Sequence, residues 1–596
     1  MTLAPARPLI AAAIAAAALP SLLALNPPPS PTFLNQALAI AAWGVYAGMA
    51  GGWLRDARSA WTLLAALAAV AAAAAWSWGP GNLPASLALS ALGMLAATIV
   101  MVASGAAAGT GNGVGSLVGA HHAAGHGLAP AAPTRDDVFA AFCWGWVVAG
   151  ALNAGIGALQ VFAPSWPDGD WIARSGLPGR AVGNLRQPNH LSSLLLWGAI
   201  ATVGLLQMQR LRPWPARGLF AAMMLAVVLT ASRTGLVSVL LLAAWGLLDR
   251  GLGRNARRLL MAAPVLYALA WGGMWLWAQG GEHAFGGQAR LQETDISSSR
   301  FGIWANTLAM IAREPWTGTG FGEYNLAWSM TPFPGRPTAF FDHAHNLPLH
   351  LAAELGLPLA GAVLALLCAA LWLGWRRSGG GRTAARCAWM FVLMIGVHSL
   401  LEYPLWYAYF LLPAAWAWGH ALGEPVRGDA FESGLNAGPA PRWAPRVAVL
   451  LVFGSVAAAL DYTSVTRIFE AGGSQAPLSQ RVADGRRSVL FSHHADYAAA
   501  TTGLPQPDGL GAFDGAKHYL LDTRLMVAWA DALAAAGQTE AARHVAARLR
   551  EFGPARAADY FEDCATPASA AAAYQCLPAP AGEKALGWRE LAGRGR

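Results

Sequence analysis

Long apolar runs alternate along the chain with short polar turns. Thirteen such runs stand out, at roughly residues 8–25, 33–54, 60–78, 85–104, 138–162, 190–208, 217–231, 234–248, 259–279, 351–374, 386–402, 405–421 and 446–466. Each comes close to the roughly 17–25 residues that carry a helix across a bilayer. A spanning segment must satisfy its own backbone hydrogen bonds, and an α-helix does so within itself. The pattern predicts an all-α fold: a polytopic transmembrane helix bundle over residues 1–466. The apolar runs stop there, and residues 467–596 predict a small helical C-terminal domain. The first run, Pro8 to Leu25, has the look of an export signal. The Asn26-Pro27-Pro28-Pro29 that follows is a poor cleavage site, so the run reads as a retained helix.

Composition agrees with the bundle. The 596 residues are 55% hydrophobic and 12% charged, with a mean hydropathy of +0.39; soluble domains carry about 25% charged residues. The formal charge of +8 invites a nucleic-acid partner. Its distribution argues against one, because the arginines fall in short loops between apolar runs, where they set topology. With the N-terminus in the cytoplasm and the spans alternating, the cytoplasmic loops hold Arg55 and Arg58; Arg210, Arg212 and Arg217; Arg250, Arg254, Arg257 and Arg258; Arg376, Arg377, Arg382 and Arg386; and Arg427, Arg442 and Arg446. The linker 105–137 falls inside by alternation alone. The hairpins at 26–32, 79–84 and 403–404 hold no arginine and fall on the opposite side. So do the loops 163–189 and 280–346, the turn at Ser232-Arg233-Thr234 and the tail, all of which are expected in the periplasm. Cys143, Cys368 and Cys387 lie in or beside spans and serve as small apolar groups. Cys564 and Cys576 lie in the tail, where an oxidising compartment would let them pair; the alternative is two free thiols. Between Asp522 and Phe552 the tail reads as a helical hairpin broken at Gly537, like one tetratricopeptide-type unit. Stacked repeats need about three or more copies, and one is visible.

A charge at the bilayer centre costs several kcal/mol, so the positions where ionisable groups gather carry information. The middles of the spans are nearly free of them. The polar groups collect at the ends expected in the periplasm: Arg233 in its turn, Gln187-Pro188-Asn189-His190 at the head of a span, and His398 and Glu402 spaced to share a helix face before Tyr403-Pro404. Glu354 stands one turn beyond His350, and the long loop brings Arg300 and His343-Ala344-His345-Asn346. Each alone would serve as an interfacial polar residue; as a set they mark a site. Arginine matches phosphate oxygens with a planar, permanently charged fork, so Arg233 and Arg300 suit a lipid-linked pyrophosphate. Histidine can take a proton from a hydroxyl near neutral pH. Asn346 and Gln187 can bond sugar hydroxyls. The 27 tryptophans could stack on sugars, although membrane interfaces collect aromatic residues in any case. Two metal readings are weaker. His343, His345, His350 and Glu354 match no zinc spacing. Asp168-Gly169-Asp170, an Asp-x-Asp, is built of turn residues. No metal site is expected.

In order and spacing, several stretches over about 180–410 resemble the bacterial O-antigen ligase and polymerase superfamily, most closely the pilin-type O-oligosaccharyltransferases. They are Gly183-Asn184-Leu185-Arg186-Gln187-Pro188-Asn189-His190, Ser232-Arg233-Thr234-Gly235, Ser298-Ser299-Arg300 with Trp304, Gly318-Thr319-Gly320-Phe321-Gly322, His343-Ala344-His345-Asn346, and Glu402-Tyr403-Pro404-Leu405-Trp406-Tyr407. The resemblance implies a GT-C-like glycosyltransferase of the bacterial inner membrane working on its periplasmic face. It implies an inverting transfer of a preassembled glycan from undecaprenyl pyrophosphate, with no cofactor and no metal. His345 would be the general base toward an acceptor Ser or Thr hydroxyl, and Arg233 and Arg300 would hold the departing pyrophosphate. Gln187 and Tyr403 would position donor or acceptor; Asn346 and Glu402 would support them, and Asn189 and His190 complete the expected binding set. The partners so implied are the lipid-linked oligosaccharide, membrane lipid and an acceptor protein such as pilin. The same chemistry could instead serve lipid A-core ligation or O-antigen polymerisation. A non-enzymatic lipid transporter is the remaining rival, although neither an internal repeat nor charges at mid-span support it. The segment 301–341, between Arg300 and His345, is long enough to move and is expected to be the most mobile part of the site.

Overall fold

A computed structural model describes residues 7–51, 56–110, 133–281, 283–291, 300–333, 335–380, 382–424, 443–470, 472, 475–504, 509–553, 557–565, 573–580 and 586–593. Arg55, Arg427, Arg442, Ser298, Ser299 and most of the 105–137 linker lie outside these residues. The regular elements are helical. In chain order they are α1 Arg7–Leu22, α2 Phe33–Ala50, α3 Trp61–Trp78, α4 Ala85–Thr110, α5 Arg135–Phe162, α6 Pro188–Gln207, α7 Pro213–Leu229, α8 Arg233–Leu248 and α9 Arg254–Gln279. Next come α10 Gly286–Leu291, α11 Arg300–Arg313, α12 Tyr324–Met330, α13 Leu347–Gly380, α14 Thr383–Ser399, α15 Ala408–Gly423 and α16 Trp443–Phe469. The tail adds α17 Leu478–Gly485, α18 Ser492–Thr501, α19 Gly511–Ala516, α20 Thr523–Ala535 and α21 Thr539–Glu551.

Every one of the thirteen expected spans coincides with a helix. Eight are long and apolar enough to cross a membrane, and α1, α7, α8 and α14 are shorter apolar helices. The protein is a multi-pass helical membrane protein. Its central core is aromatic: Phe142 stacks on Trp416 at 4.7 Å and Trp146 meets Trp197 edge-on at 4.6 Å. Helices α4 and α15 pack backbone to backbone through Gly105, Gly109, Gly419 and Gly423, the small-residue spacing that lets membrane helices approach closely.

The arginine-bearing turns gather at one end of the bundle. Arg210 meets Asp137 at 2.6 Å, Arg386 pairs with Asp249, and Arg377 donates to the Ser59 and Leu422 carbonyls. Helices α6 and α14 run from that end to the other, where the polar loops meet. There, Tyr462 of α16 donates to the Pro27 carbonyl at 2.9 Å, and Asn184 donates to the Leu22 carbonyl.

A second hydrophobic cluster joins the long loop to the tail. Ile303, Trp328, Phe341 and Ala352 share it with Val465, Leu525, Trp529 and Phe552. Polar contacts reinforce the seam. Buried Glu323 accepts from His518 Nδ1 at 2.8 Å, and the Leu521 amide donates to Asn325 at 2.7 Å. Arg589 reaches both oxygens of Glu314 at 2.8 and 2.9 Å, and Arg336 pairs with Glu551 at 3.0 Å. The segment expected to be mobile is therefore folded into α11 and α12 and fastened to the tail, so a large movement of it would carry the tail along. Cys564 and Cys576 form a disulfide, and α20 and α21 form the expected hairpin with Gly537 at φ +76° between them.

Helix α13 begins at Leu347, earlier than the apolar run suggested, and breaks at Gly356, where φ is +73°. Pro358 lacks the N–H that would continue the ladder. The loop at 315–320 crosses the break and repairs it. Thr319 N donates to Ala353 O at 2.8 Å, Gly320 N to Glu354 O at 2.9 Å, and Leu357 N to Pro315 O at 2.7 Å. A Cβ at Gly318, itself at φ +63°, would lie 2.5 Å from Glu354 O. This crossing accounts for Gly318, and it sets the first turns of α13 as a separate polar segment beneath His345.

Candidate active site

Glu402 is the hub of the polar end. Its Oε1 accepts from the Arg300 guanidinium and from Asn189 Nδ2 at 3.0 Å, and its Oε2 accepts from His345 Nδ1 at 2.8 Å. Helix α14 stops at Ser399, and Glu402 follows in the turn before Pro404. The spacing of His398 and Glu402 survives in a last turn, where Glu402 N donates to His398 O at 2.9 Å beyond the end of the regular helix. His398 points inward and bonds Ser193 Oγ at 2.7 Å. The helix ends early because Pro404 restricts Tyr403 before it and cannot extend the ladder.

His345 sits at φ +51°, a left-handed conformation unusual outside glycine. Its neighbours hold it there. Asn346 caps α13 by accepting from Leu349 N at 3.0 Å and donates to Leu400 O at 3.1 Å, and Trp304 Nε1 donates to Ala344 O at 3.1 Å. Tyr403 meets the His345 ring edge-on at 4.9 Å and stacks on His343 at 4.3 Å. Burial lowers the basicity of His345; the Glu402 hydrogen bond opposes this and the Arg300 charge adds to it. Burial alone would raise the Glu402 carboxyl, yet His345 and Arg300 outweigh it and hold the group at about 2. Glu402 is thus ionised and can only accept, which puts the His345 proton on Nδ1 and leaves Nε2 as the basic nitrogen.

The remaining expected residues fall around this hub. Asn189 Oδ1 accepts from Ser232 Oγ at 2.7 Å, and Ser232 caps α8 by accepting from Gly235 N at 3.0 Å. Arg233, the first residue of α8, is therefore two hydrogen-bonded side chains from Glu402; its guanidinium also donates to Arg290 O at 3.3 Å. Gln187 caps α6 through a bond from His190 N at 2.8 Å. His190 is buried beneath the surface and bonded to Tyr409 at 3.2 Å. Asp168 organises its own turn by accepting from the amides of Asp170, Trp171 and Ile172. His350 faces Glu354 at 3.5 Å. Among the described residues no three His, Cys, Asp or Glu side chains converge as a metal-holding group.

Sequence reasoning gave no role to Asp342, which pairs with His343 at 2.6 Å, or to Tyr407, stacked 6.1 Å from Tyr403. Asp342 stands next to His343 in the chain, a signal that could have been used. The seam pairs Glu323–His518 and Arg589–Glu314 carried no local signal at all.

The fold and the site define a multi-pass helical enzyme-like membrane protein with a histidine, a carboxylate and arginines joined at one end. The comparisons agree with that class. A family model described as O-antigen ligase matches residues 218–362. One described as virulence factor membrane-bound polymerase, C-terminal, matches 387–562, and one described as protein glycosylation ligase matches 181–206. The chain is also similar to two proteins of Acinetobacter baylyi. A general O-oligosaccharyltransferase is 27% identical over 251 residues, 40% of this chain and 43% of the relative. A ComP-specific O-oligosaccharyltransferase is 27% identical over 288 residues, 46% of this chain and 49% of the relative. The matched segments span about half the length of these relatives or less. The chain is thus similar, over parts of its length, to O-antigen ligases and polymerases and to protein glycosylation ligases.

Proposed function

We propose that the protein is an O-oligosaccharyltransferase that moves a preassembled glycan from undecaprenyl pyrophosphate to Ser or Thr hydroxyls of proteins such as pilin. The observation that carries this reading is the chain Arg300–Glu402–His345, with His345 Nδ1 engaged by the carboxylate. In the reaction, His345 Nε2 takes the acceptor hydroxyl proton as the oxygen attacks the anomeric carbon. The bond from that carbon to the phosphate oxygen breaks on the opposite face, with inversion, and the electron pair leaves with the pyrophosphate. Glu402 stabilises the imidazolium that forms. Arg300 retains further N–H donors after bonding Glu402, and its side chain is 31% exposed; together with Arg233 at the N-terminus of α8 it meets the growing phosphate charge. Tyr403 forms a wall beside His345 for donor or acceptor, Asn189 and Asn346 hold the hub in place, and Gln187 acts through its cap on α6. His190 supports the site from below.

The positive-inside rule orients the bundle with its arginine end in the cytoplasm of a bacterial inner membrane, and so puts Glu402 and the C-terminal domain in the periplasm. A disulfide in that domain suits an oxidising compartment. Reconstituting the full chain with defined lipid-linked glycan and offering it pilin or lipid A-core separately tests the reading. Intact-mass addition of the whole glycan to pilin is expected. Transfer to lipid A-core alone would replace the proposal with O-antigen ligation, the activity that the O-antigen ligase match suggests.

A further inference from the structure

Helix α11 carries an apolar stripe that neither the bundle nor the C-terminal domain covers. Its inner face, through Ile303, Thr307 and Met310, is buried. Its outer face runs Phe301, Ala305, Leu308 and Ala312, all exposed and spaced by three or four residues, and leads to Trp316. Phe301 is 79% exposed, Leu308 53% and Trp316 76%. A helix facing water carries polar residues at such positions. Here the charged residues of the helix, Arg300 and Arg313, stand at its two ends, and none interrupts the exposed stripe. The stripe is also continuous with the outward face of a spanning helix. The bond from Leu357 N to Pro315 O sets Trp316 beside the break in α13. Just beyond the break, Leu357 and Leu359 are 52% and 37% exposed at the start of that face.

We infer that α11 lies in the plane of the bilayer surface with Phe301, Leu308 and Trp316 among lipid acyl chains, so that the membrane itself covers this face. The seating follows from exposure and continuity with the lipid-facing helix, and does not depend on the proposed activity. Its consequence for donor binding does rest on that activity: Arg300, the first residue of α11, is held at phosphate depth, and Trp304 ties the same helix to the His345 loop.

Spin-label accessibility tests the seating in the full chain. Cys368, the exposed free thiol among the described residues, is replaced by alanine. Single cysteines then carry a nitroxide at Ala305, Leu308 or Ala312. Ala365 on the outward face of α13 is the lipid reference, and Ala535 in the exposed tail hairpin is the aqueous reference. In phosphatidylcholine–phosphatidylglycerol vesicles, the ratio of oxygen to nickel-chelate accessibility at all three sites should rise clearly above that at position 535 toward that at position 365. Ratios matching position 535 would overturn the inference. So would low accessibility to both reagents, which would mean that a protein or a second copy covers the stripe. Transfer activity is not measured, so the result is independent of whether the proposed reaction is correct.

Discussion

Replacing Glu402 by glutamine keeps the shape of the hub and removes its charge. The Glu402 side chain is 7% exposed, and its Oε2 lies 2.8 Å from His345 Nδ1, with the charge centres about 4 Å apart. At an effective dielectric of about 20, the attraction between the carboxylate and a protonated imidazole is about 4 kcal/mol. That attraction is absent while His345 is neutral and present once it has taken the acceptor proton, so its loss raises the barrier rather than weakening ground-state binding. At 1.36 kcal/mol per decade, and with one hydrogen bond retained by the amide, kcat should fall about 10²–10³-fold. The pH profile moves as well. His345 must be neutral to act, so kcat is lost as pH falls through its folded pKa. Burial sets that pKa below the ordinary value, and Glu402 pulls it back up. Without the carboxylate it drops further, and the acid limb of the profile shifts to lower pH. The assay is transfer from lipid-linked glycan to acceptor protein in vesicles, read by intact mass from pH 5 to 9. A properly folded Glu402→Gln protein with kcat within about threefold of the parent, a change under ~1 kcal/mol, and an unmoved acid limb would refute the argument.

Other perturbations have equally definite outcomes. Gly318→Ala places a side chain at φ +63° against the Glu354 carbonyl and should cost about 2–4 kcal/mol, seen as a lower Tm in nanodiscs; an unchanged Tm would contradict the account of the α13 break. Burial lowers His544 to about 4 from an unfolded value near 6.5, so its contribution is present above about 6.5 and is lost as pH falls toward 4, up to ~3 kcal/mol. Protease nicking of the C-terminal domain should therefore increase across that window, and His544→Gln should flatten the increase. Cys564→Ser with Cys576→Ser should destabilise the same domain by up to about 3 kcal/mol on loop-closure grounds, readable as earlier nicking there with the bundle intact.

The bundle was legible because an apolar run of bilayer length has few other readings. Boundaries were less so: α13 starts four residues before its expected span because Asn346 caps it, and α14 ends before Glu402 because Pro404 follows. Within the site, Arg300 and His345 were recognisable from residue type and resemblance. The central place of Glu402 was not, since its partners Asn189, Arg300 and His345 come from three distant parts of the chain. The docking of the tail was hidden for the same reason. Glu323 and His518 each look like an ordinary surface polar residue, and their burial against each other is one of the contacts by which the C-terminal domain braces the loop between Arg300 and His345.

The central claim is that His345 is the base for glycan transfer. Single-turnover transfer by His345→Ala, with donor prebound and acceptor protein in excess, tests it most directly. The account predicts a fall of at least about 10²-fold in the transfer step, with donor binding retained because Arg300 and Arg233 remain. A His345→Ala protein that transfers glycan at the parent rate would contradict it.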